Sequence, residues 1–277
     1  KLKSKELTLS FEVFPPKTSD LYEDVSKAVN AIADLKPDFM SVTYGAGGST
    51  RQYTADIAES VIKKGVPCLA HLTCVGATKQ SLDEQLEELK ARGIQNILAL
   101  RGDLPAGVEN TNEWEFKHAS ELVPIIKAHG DFCVGGACYP EKHPESATLQ
   151  EDIENMKRKV DAGCDFLTTQ MFFDNTILYN YSMRLMRAGI NVPLVPGIMP
   201  VTNAAQIKRI CALSGTKLPV NFSRMVEKFQ QKPVALKQAG IAYATEQIID
   251  FYKKDLKELG IDNLKAKSYF SSTNSIR

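Results

Sequence analysis

The sequence has no long apolar run and no strong excess of one charge. No stretch of about 18 apolar residues is present, so we expect no transmembrane helix. The 34 basic and 33 acidic side chains give a formal charge of +1. Because phosphate binding needs a basic excess, this balance argues against nucleic acid as the main partner. The N-terminal segment 1–10 lacks the apolar core of a signal peptide. We therefore expect a cytoplasmic protein that binds neither nucleic acid nor membranes.

The cysteines are few and widely spaced. None of the six forms a C-x-x-C pair, and we expect no metal site. Most of them lie inside apolar runs, which is typical of small buried thiols in a reducing compartment. They are Cys68, Cys74, Cys133, Cys138, Cys164 and Cys211.

Linkers and low-complexity segments are also missing. The 277 residues are 43% hydrophobic and 24% charged, which is enough apolar material for a full core. An α/β barrel often has this length as one unit, so we expect a single catalytic domain over residues 1–277.

Short apolar runs alternate with amphipathic stretches of helical length. The runs predict strands at Leu7–Val13, Phe39–Thr43, Pro67–Thr73, Gln95–Leu100, Phe132–Cys138, Asp165–Met171 and Pro193–Met199. The stretches predict helices at Leu21–Leu35, Thr54–Lys64, Ser81–Arg92, Ser120–His129, Thr148–Ala162 and Thr176–Ala188. Ser81 with Glu84 is interpreted as a capping box, and Gly93 as the helix stop.

The strand ends recur about every 30 residues, the length of one strand and one crossover helix. Such βα units predict an all-parallel sheet, either doubly wound or closed as a (β/α)8 TIM barrel. We favour the barrel because the chain has its usual size. The late candidate for the eighth strand is Leu264–Phe270. The segment 199–264 is helical in pattern, notably Val234–Leu259, so the last crossover would be enlarged.

Polar side chains follow the apolar runs where each strand ends. In a barrel they would all project at the C-terminal mouth, where active sites of this fold lie. An enzyme is therefore favoured over a scaffold. These residues are Glu12, Thr43, Tyr44, His71, Thr73, Arg101, Asp103, Tyr139 and Gln170.

Glu12 is a candidate proton donor. It lies between Phe11, Val13 and Phe14, which would solvate a carboxylate poorly. Desolvation favours the neutral acid, which suits a general acid near neutral pH. A structural glutamate paired with an arginine is an equally good interpretation.

Three further segments are candidates for binding an anionic or heteroaromatic group. The turn Gly45–Gly48 either cradles a phosphate or is an ordinary tight turn, and the second interpretation is favoured. Arg101 and Asp103 share one face of an extended segment, so they either neutralise each other or bind opposite charges. Gln170 offers donors and an acceptor together, as a pterin edge requires.

Eight motifs in one order carry a family resemblance. They are SFEVFPPKT, SVTYGAGGSTR, HLTC, LALRGDLP, YPEKHPES, MKRKVDAG, TQMFFD and VPGIMPVTN. The chain resembles the methylenetetrahydrofolate reductases of the short bacterial type, from about Ser10 to Asn203 and more weakly through Ala242–Gln247. The resemblance implies a barrel that binds FAD non-covalently. Hydride would pass from NADH or NADPH to the flavin and then to 5,10-methylenetetrahydrofolate, giving 5-methyltetrahydrofolate in a ping-pong scheme.

The resemblance also implies roles for individual residues. The general acid that protonates folate N10 falls on Glu12, and Asp103 would stabilise the cationic iminium. The folate-binding residues fall on Asp103, Gln170 and Gln206. The FAD-binding positions fall on Thr43, Tyr44, Ala46, His71, Arg101, Gly102, Asp103, Ala119, Tyr139, His143, Asp152, Asn155, Arg158 and Lys159.

The C-terminal segment departs from the family pattern. Only Asn274 and Arg277 have counterparts there, at a different spacing, so the substrate-side arginine is unassigned. Two alternatives stay open: another barrel flavoenzyme resembling proline dehydrogenase, and a folate-binding barrel subunit that needs an electron-supplying partner. The sequence decides neither between NADH and NADPH nor between a monomer and a homo-oligomer.

Overall fold

Strands and helices alternate along the chain. The computed structural model describes residues 2, 8–16, 18–44, 51–103 and 113–253. Each of the seven strands within these ranges falls inside a range predicted from the sequence. Strands β1 to β7 are Ser10–Val13, Phe39–Val42, Cys68–Thr73, Asn96–Leu100, Cys133–Cys138, Phe166–Met171 and Leu194–Gly197.

The helices follow the strands in strict order from β1 to β7. The six that were predicted have ends within three residues of the expected positions, and three more follow β7. Helices α1 to α9 are Tyr22–Asp34, Arg51–Lys63, Lys79–Ala91, Ala119–Ala128, Leu149–Asp161, Asn175–Arg187, Ala204–Ser214, Val220–Phe229 and Pro233–Lys253.

The start of α3 differs from the prediction. Thr78, not Ser81, is the N-cap, because its hydroxyl accepts from the Ser81 backbone N–H at 3.2 Å. The Ser81 hydroxyl in turn accepts from the Thr78 backbone N–H at 3.0 Å. The capping box therefore begins three residues earlier than expected, and Ser81 supplies its second half in place of Glu84.

The sheet is parallel, and its strand order is β1-β2-β3-β4-β5-β6-β7. Its two faces are packed differently. One face joins the helices in a large apolar cluster that includes Val13 of β1 and Val42 of β2. The opposite face forms a cluster built from strand residues without any helix residue: Phe39, Leu69, Leu98, Phe166 and Val195.

This asymmetry decides between the two expected topologies. A doubly wound sheet carries helices on both faces, whereas a barrel packs its inner face against itself. The fold is thus an α/β barrel architecture. The predicted eighth strand Leu264–Phe270 lies outside the described residues, so closure by that strand, the enlarged last crossover and the single domain over 1–277 stay predictions.

Helix α9 is fixed against the end of β6. The Tyr243 hydroxyl donates to the Phe173 carbonyl at 2.5 Å, and the Gln247 amide donates to the Phe172 carbonyl at 3.2 Å. Gly240 allows a close approach, since a Cβ there would lie 1.8 Å from the Val201 carbonyl oxygen. The helix therefore packs backbone to backbone against the segment after β7.

The thiols are free, and four of the six are buried. Burial raises the pKa of Cys74 to about 11 and that of Cys138 to about 12. It also raises the pKa of Cys164 to about 12. These groups are protonated at neutral pH and belong to the packing of the core. Among the described residues, no helix is long and apolar enough to cross a membrane.

Candidate active site

A cavity of about 840 Å³ lies at the carboxyl ends of β3, β4 and β5 and is walled by α3, α4 and α5. Parallel strands deliver their last side chains to one edge, so residues far apart in sequence meet there. Eleven of the predicted cofactor-binding residues line it: Tyr44, Arg101, Gly102, Asp103, Ala119, Tyr139, His143, Asp152, Asn155, Arg158 and Lys159.

Other predicted residues lie elsewhere. Thr43 is buried beside the strand ends, where its carbonyl accepts from the Thr54 hydroxyl at 3.0 Å. His71 is also buried and does not line the cavity. Ala46 and the turn Gly45–Gly48 lie outside the described residues, as do Asn274 and Arg277.

The sequence interpretation missed several residues of the cavity wall. Gln85 is the clearest case, because its amide oxygen accepts from the Tyr44 hydroxyl at 3.1 Å. A helix position such as this carries no strand-end signal. Several of the others adjoin a predicted residue in the sequence, and that adjacency is a usable signal. Further missed residues are Ser81, His118, Ser120, Glu145, Ser146, Glu151 and Met156, whereas Thr73, which also lines the cavity, is among the polar residues expected at a strand end.

Arg101 forms a two-pronged ion pair with Glu145 on this wall. Its two terminal nitrogens lie 2.5 and 2.6 Å from the carboxylate oxygens. The hydrogen bonds raise the pKa of Arg101 and lower the pKa of Glu145. The pair joins the end of β4 to the loop after β5. Arg101 therefore pairs with Glu145 rather than with Asp103, its neighbour two residues on.

Tyr139 and His143 form an aromatic corner in that loop. Their ring centroids are 4.6 Å apart with the planes at 78°. Burial raises the pKa of Tyr139 and lowers the pKa of His143, so both groups favour their neutral forms near pH 7. The loop thus presents uncharged rings to the cavity.

Asp152 and Lys159 place a buried carboxyl group and a partly buried amino group on α5. The Ser146 hydroxyl donates to Asp152 Oδ1 at 3.0 Å, while Oδ2 is buried without a hydrogen-bond partner among the described residues. Burial raises the pKa of Asp152 and lowers the pKa of Lys159. Lys159 Nζ donates to the Ala137 carbonyl at 2.6 Å. Gly136 makes room for it, since a Cβ there would lie 2.6 Å from the lysine Cδ.

Glu12 lies on β1 among polar neighbours. Its Oε2 is 3.6 Å from Nε2 of His71, and its side chain is 20% exposed. Of the three apolar neighbours expected around it, Phe11, Val13 and Phe14, Val13 packs instead in the large cluster with the helices, because strand side chains alternate. The contact with His71 also differs from the arginine partner considered as the alternative.

The two predicted folate amides are partly buried and lie outside the cavity wall. The Gln170 side-chain oxygen accepts from the Met171 backbone N–H at 3.2 Å at the end of β6. Gln206 is in the first turn of α7, where its backbone N–H donates to the Asn203 side chain at 2.9 Å. Asp103 is exposed at the end of β4.

Comparison with known proteins gives the family. A family model described as methylenetetrahydrofolate reductase matches residues 1–271. The chain belongs to the methylenetetrahydrofolate reductase family. It is 34% identical to the 5,10-methylenetetrahydrofolate reductase of Pectobacterium carotovorum, over 91% of this chain and 84% of the relative. The Escherichia coli enzyme of that name is 35% identical over the same shares.

Members of the family differ in length. A relative from Arabidopsis thaliana, methylenetetrahydrofolate reductase (NADH) 1, is 37% identical over 87% of this chain but only 43% of its own length. The bacterial relatives match this chain over most of their length.

Solved structures agree on the fold. A Clostridium thermocellum protein described as binding two copies of 5-methyl-5,6,7,8-tetrahydrofolic acid has a TM-score of 0.69 at 15% identity. The match covers 99% of this chain and 92% of that one. Oxaloacetate acetylhydrolase has a TM-score of 0.55 at 11% identity, over 98% of this chain and 78% of that chain. At these identities the likeness concerns the barrel architecture alone.

The cavity fits the flavin nucleotide that the family resemblance implies. Arg158 and Lys159 offer positive charge for a diphosphate. The unpartnered buried oxygen of Asp152 needs a donor, which a ribose hydroxyl has. Ala119 opens α4, whose N-terminus favours anions. Among the described residues, no group of three or more histidine, cysteine or carboxylate side chains is arranged to hold a metal ion.

Proposed function

We propose that the chain reduces 5,10-methylenetetrahydrofolate to 5-methyltetrahydrofolate with NADH or NADPH as the electron donor and FAD as its cofactor. When bound, FAD supplies hydride transfer, accepting from the nicotinamide and delivering to the folate after the oxidised nucleotide has left. The observation that carries the proposal is the cavity at the strand ends, with cationic, acceptor and aromatic groups on one wall.

Binding of the flavin uses the charges of α5 and the strand ends. Arg158 and Lys159 would hold the diphosphate, and Asp152 would accept from a ribose hydroxyl through its unpartnered oxygen. Tyr139 and His143 supply flat uncharged surfaces. Since Arg101 is already paired, its role is to fix the loop after β5 as one side of the site. Tyr44, Gly102, Ala119 and Asn155 complete the wall, and Thr43, Ala46 and His71 are assigned to the same site by family position.

Glu12 would supply the proton in the folate half-reaction. Protonation of folate N10 opens the five-membered ring and leaves a cationic iminium that accepts hydride. The neutral carboxyl must therefore persist until folate arrives. Asp103, at the exposed end of β4, would stabilise the developing positive charge. Gln170 and Gln206 would hydrogen-bond the folate.

An absorption measurement tests the proposal. Purified protein supplemented with FAD should show flavin bands that bleach under anaerobic NAD(P)H and return when 5,10-methylenetetrahydrofolate is added. Bleaching without recovery would indicate another barrel flavoenzyme. Absence of flavin bands would indicate a folate-binding subunit that depends on a partner.

The variant Glu12→Gln separates the two half-reactions. It should keep flavin reduction by NAD(P)H and lose folate reduction by roughly 10²-fold or more, because the amide has no acidic proton. Stopped-flow absorbance of each half-reaction measures both. Glu87→Gln, an exposed change on α3, is the control and should alter neither. Folate reduction at the wild-type rate in Glu12→Gln would remove Glu12 from the role of acid.

A further inference from the structure

Side chains from three neighbouring strands form a row of polar contacts inside the barrel. Ser41 of β2 places its Oγ 2.7 Å from Nε2 of His71 on β3. Glu12 of β1 places Oε2 3.6 Å from the same nitrogen. Ser41 is the register partner of Glu12, so both project from adjacent strands at one level of the barrel. One imidazole nitrogen therefore faces a hydroxyl and a carboxyl.

The distances decide which group holds that nitrogen. At 2.7 Å the serine contact is a full hydrogen bond, whereas 3.6 Å is too long for one to the carboxyl. Ser41 is fully buried, so its hydroxyl is shielded from bulk water. Leu98, the register partner of His71 on β4, carries no charge. Glu12 is a titratable side chain that the described residues place near this nitrogen, at 3.6 Å.

We propose that Ser41 is a positioning residue that keeps the general acid protonated. Its hydroxyl donates to Nε2 of His71 and holds the ring neutral, with its proton on Nδ1. A nitrogen whose lone pair is occupied in this way does not take the proton of Glu12. The Glu12 carboxyl then keeps its proton for the substrate. This inference rests on the proposed role of Glu12 as the acid.

Removal of the Ser41 hydroxyl should move the proton from Glu12 to His71. Without the serine contact, the proton can move from the Glu12 carboxyl to the imidazole. The product is an imidazolium beside a carboxylate, and each of these charges favours the charged form of the other. The carboxylate has no proton to give, so the folate half-reaction slows while the carboxyl remains in place.

Nitrogen-15 NMR of the histidine rings tests the proton location directly, without substrate. The chain has four histidines, and His71→Asn assigns the signal. Wild type at pH 7 should show a neutral ring protonated at Nδ1, and Ser41→Ala should show an imidazolium. Ser10→Ala is the matched control: Ser10 is a fully buried serine of β1 whose hydroxyl has no partner among the described residues. An imidazolium in wild type, or an unchanged ring in Ser41→Ala, overturns the inference.

Half-reaction kinetics form the second test. Ser41→Ala should slow folate reduction by roughly tenfold or more and leave flavin reduction within about twofold, since general acid catalysis contributes about 10²- to 10⁴-fold. Ser41→Thr keeps the hydroxyl and should restore the rate. Equal slowing of both half-reactions, or no rescue by threonine, would mean a merely structural serine. A wild-type protein that reduces no folate would refute the proposed function, while the NMR result would still decide the hydrogen bond.

Discussion

Lys159 illustrates how one residue serves both the fold and the site. Its chain lies over Gly136, and its ammonium donates to the Ala137 carbonyl at the end of β5. Burial lowers the pKa of Lys159, so its charged form is held at a cost. An anionic partner would stabilise the charged form of Lys159. A cofactor diphosphate is the partner that the proposed function provides.

The variant Lys159→Met tests this role. It keeps the length of the side chain and removes the charge, so FAD affinity should fall by about 10- to 100-fold, the value of a charge-assisted hydrogen bond. Titration followed by flavin fluorescence measures the dissociation constant. Lys157→Met is the control, because Lys157 pairs with Asp161 on the same helix. Equal affinities in the two variants would show that Lys159 does not contact the cofactor.

His143 gives a pH dependence with a definite sign. Burial lowers its pKa below the ordinary value of 6.5, so the unfolded chain binds more protons than the folded chain in the window below 6.5. The free energy of unfolding therefore rises with pH through that window and is level above it. Urea unfolding of wild type and His143→Gln should be measured from pH 5 to 8. The difference in the free energy of unfolding between the two proteins should grow up to about pH 7. Parallel profiles would contradict the assignment.

The environment of single residues was the least predictable part of the site. Glu12 was identified from its place at a strand end. Val13, expected beside it, faces the opposite side of the sheet, because adjacent residues in a strand alternate. Ser41 and His71 become its neighbours only through strand register, which no local pattern contains. The ion pair of Arg101 with Glu145 likewise joins two segments 44 residues apart.

At the scale of elements, strands and helices follow from pattern because each has its own period. Apolar runs between turns gave every described strand, and amphipathic stretches gave the helices between them. The start of α3 differs from the predicted one because Thr78 and Ser81 are both good capping residues. The helices after β7 were predicted only as a helical region, since their division depends on contacts with the end of β6 and the segment after β7.

Gly240 offers a test of how α9 is seated. The variant Gly240→Ala places a methyl group against the Val201 carbonyl, so the helix must move. Alanine favours a helix by about 1 kcal/mol, but overpacking costs about 1–3 kcal/mol and occasionally more. We expect a net loss in the free energy of unfolding, measured by urea denaturation. Gln238→Ala on the exposed side of α9 should change it by about 0.5 kcal/mol or less. A gain in stability for Gly240→Ala would show that α9 is loosely packed.

At the scale of the whole molecule, the cavity joins segments that span residues 44 to 159. A ligand that bridges them stabilises the folded chain because it does not bind the unfolded one. FAD at about 100 times its dissociation constant adds about 2.7 kcal/mol. For a chain of this size the melting temperature should rise by about 5–10 °C in differential scanning fluorimetry.

Riboflavin is the control ligand for this measurement, because it has the ring system without the diphosphate. Its shift at the same concentration should be smaller than that of FAD. A shift as large as that of FAD would mean that the cationic groups of α5 do not contribute to binding.

The strictly sequential order of the strands has a consequence for synthesis. Among the described strands, each one from β2 to β7 pairs with the strand made just before it, so each meets a pairing edge that has already been translated. As the chain leaves the ribosome, every new βα unit meets an edge already in place. Domains generally form from the N-terminus during translation. Assembly of this sheet can therefore keep pace with elongation, and the wall of the cavity is complete once α5 has emerged.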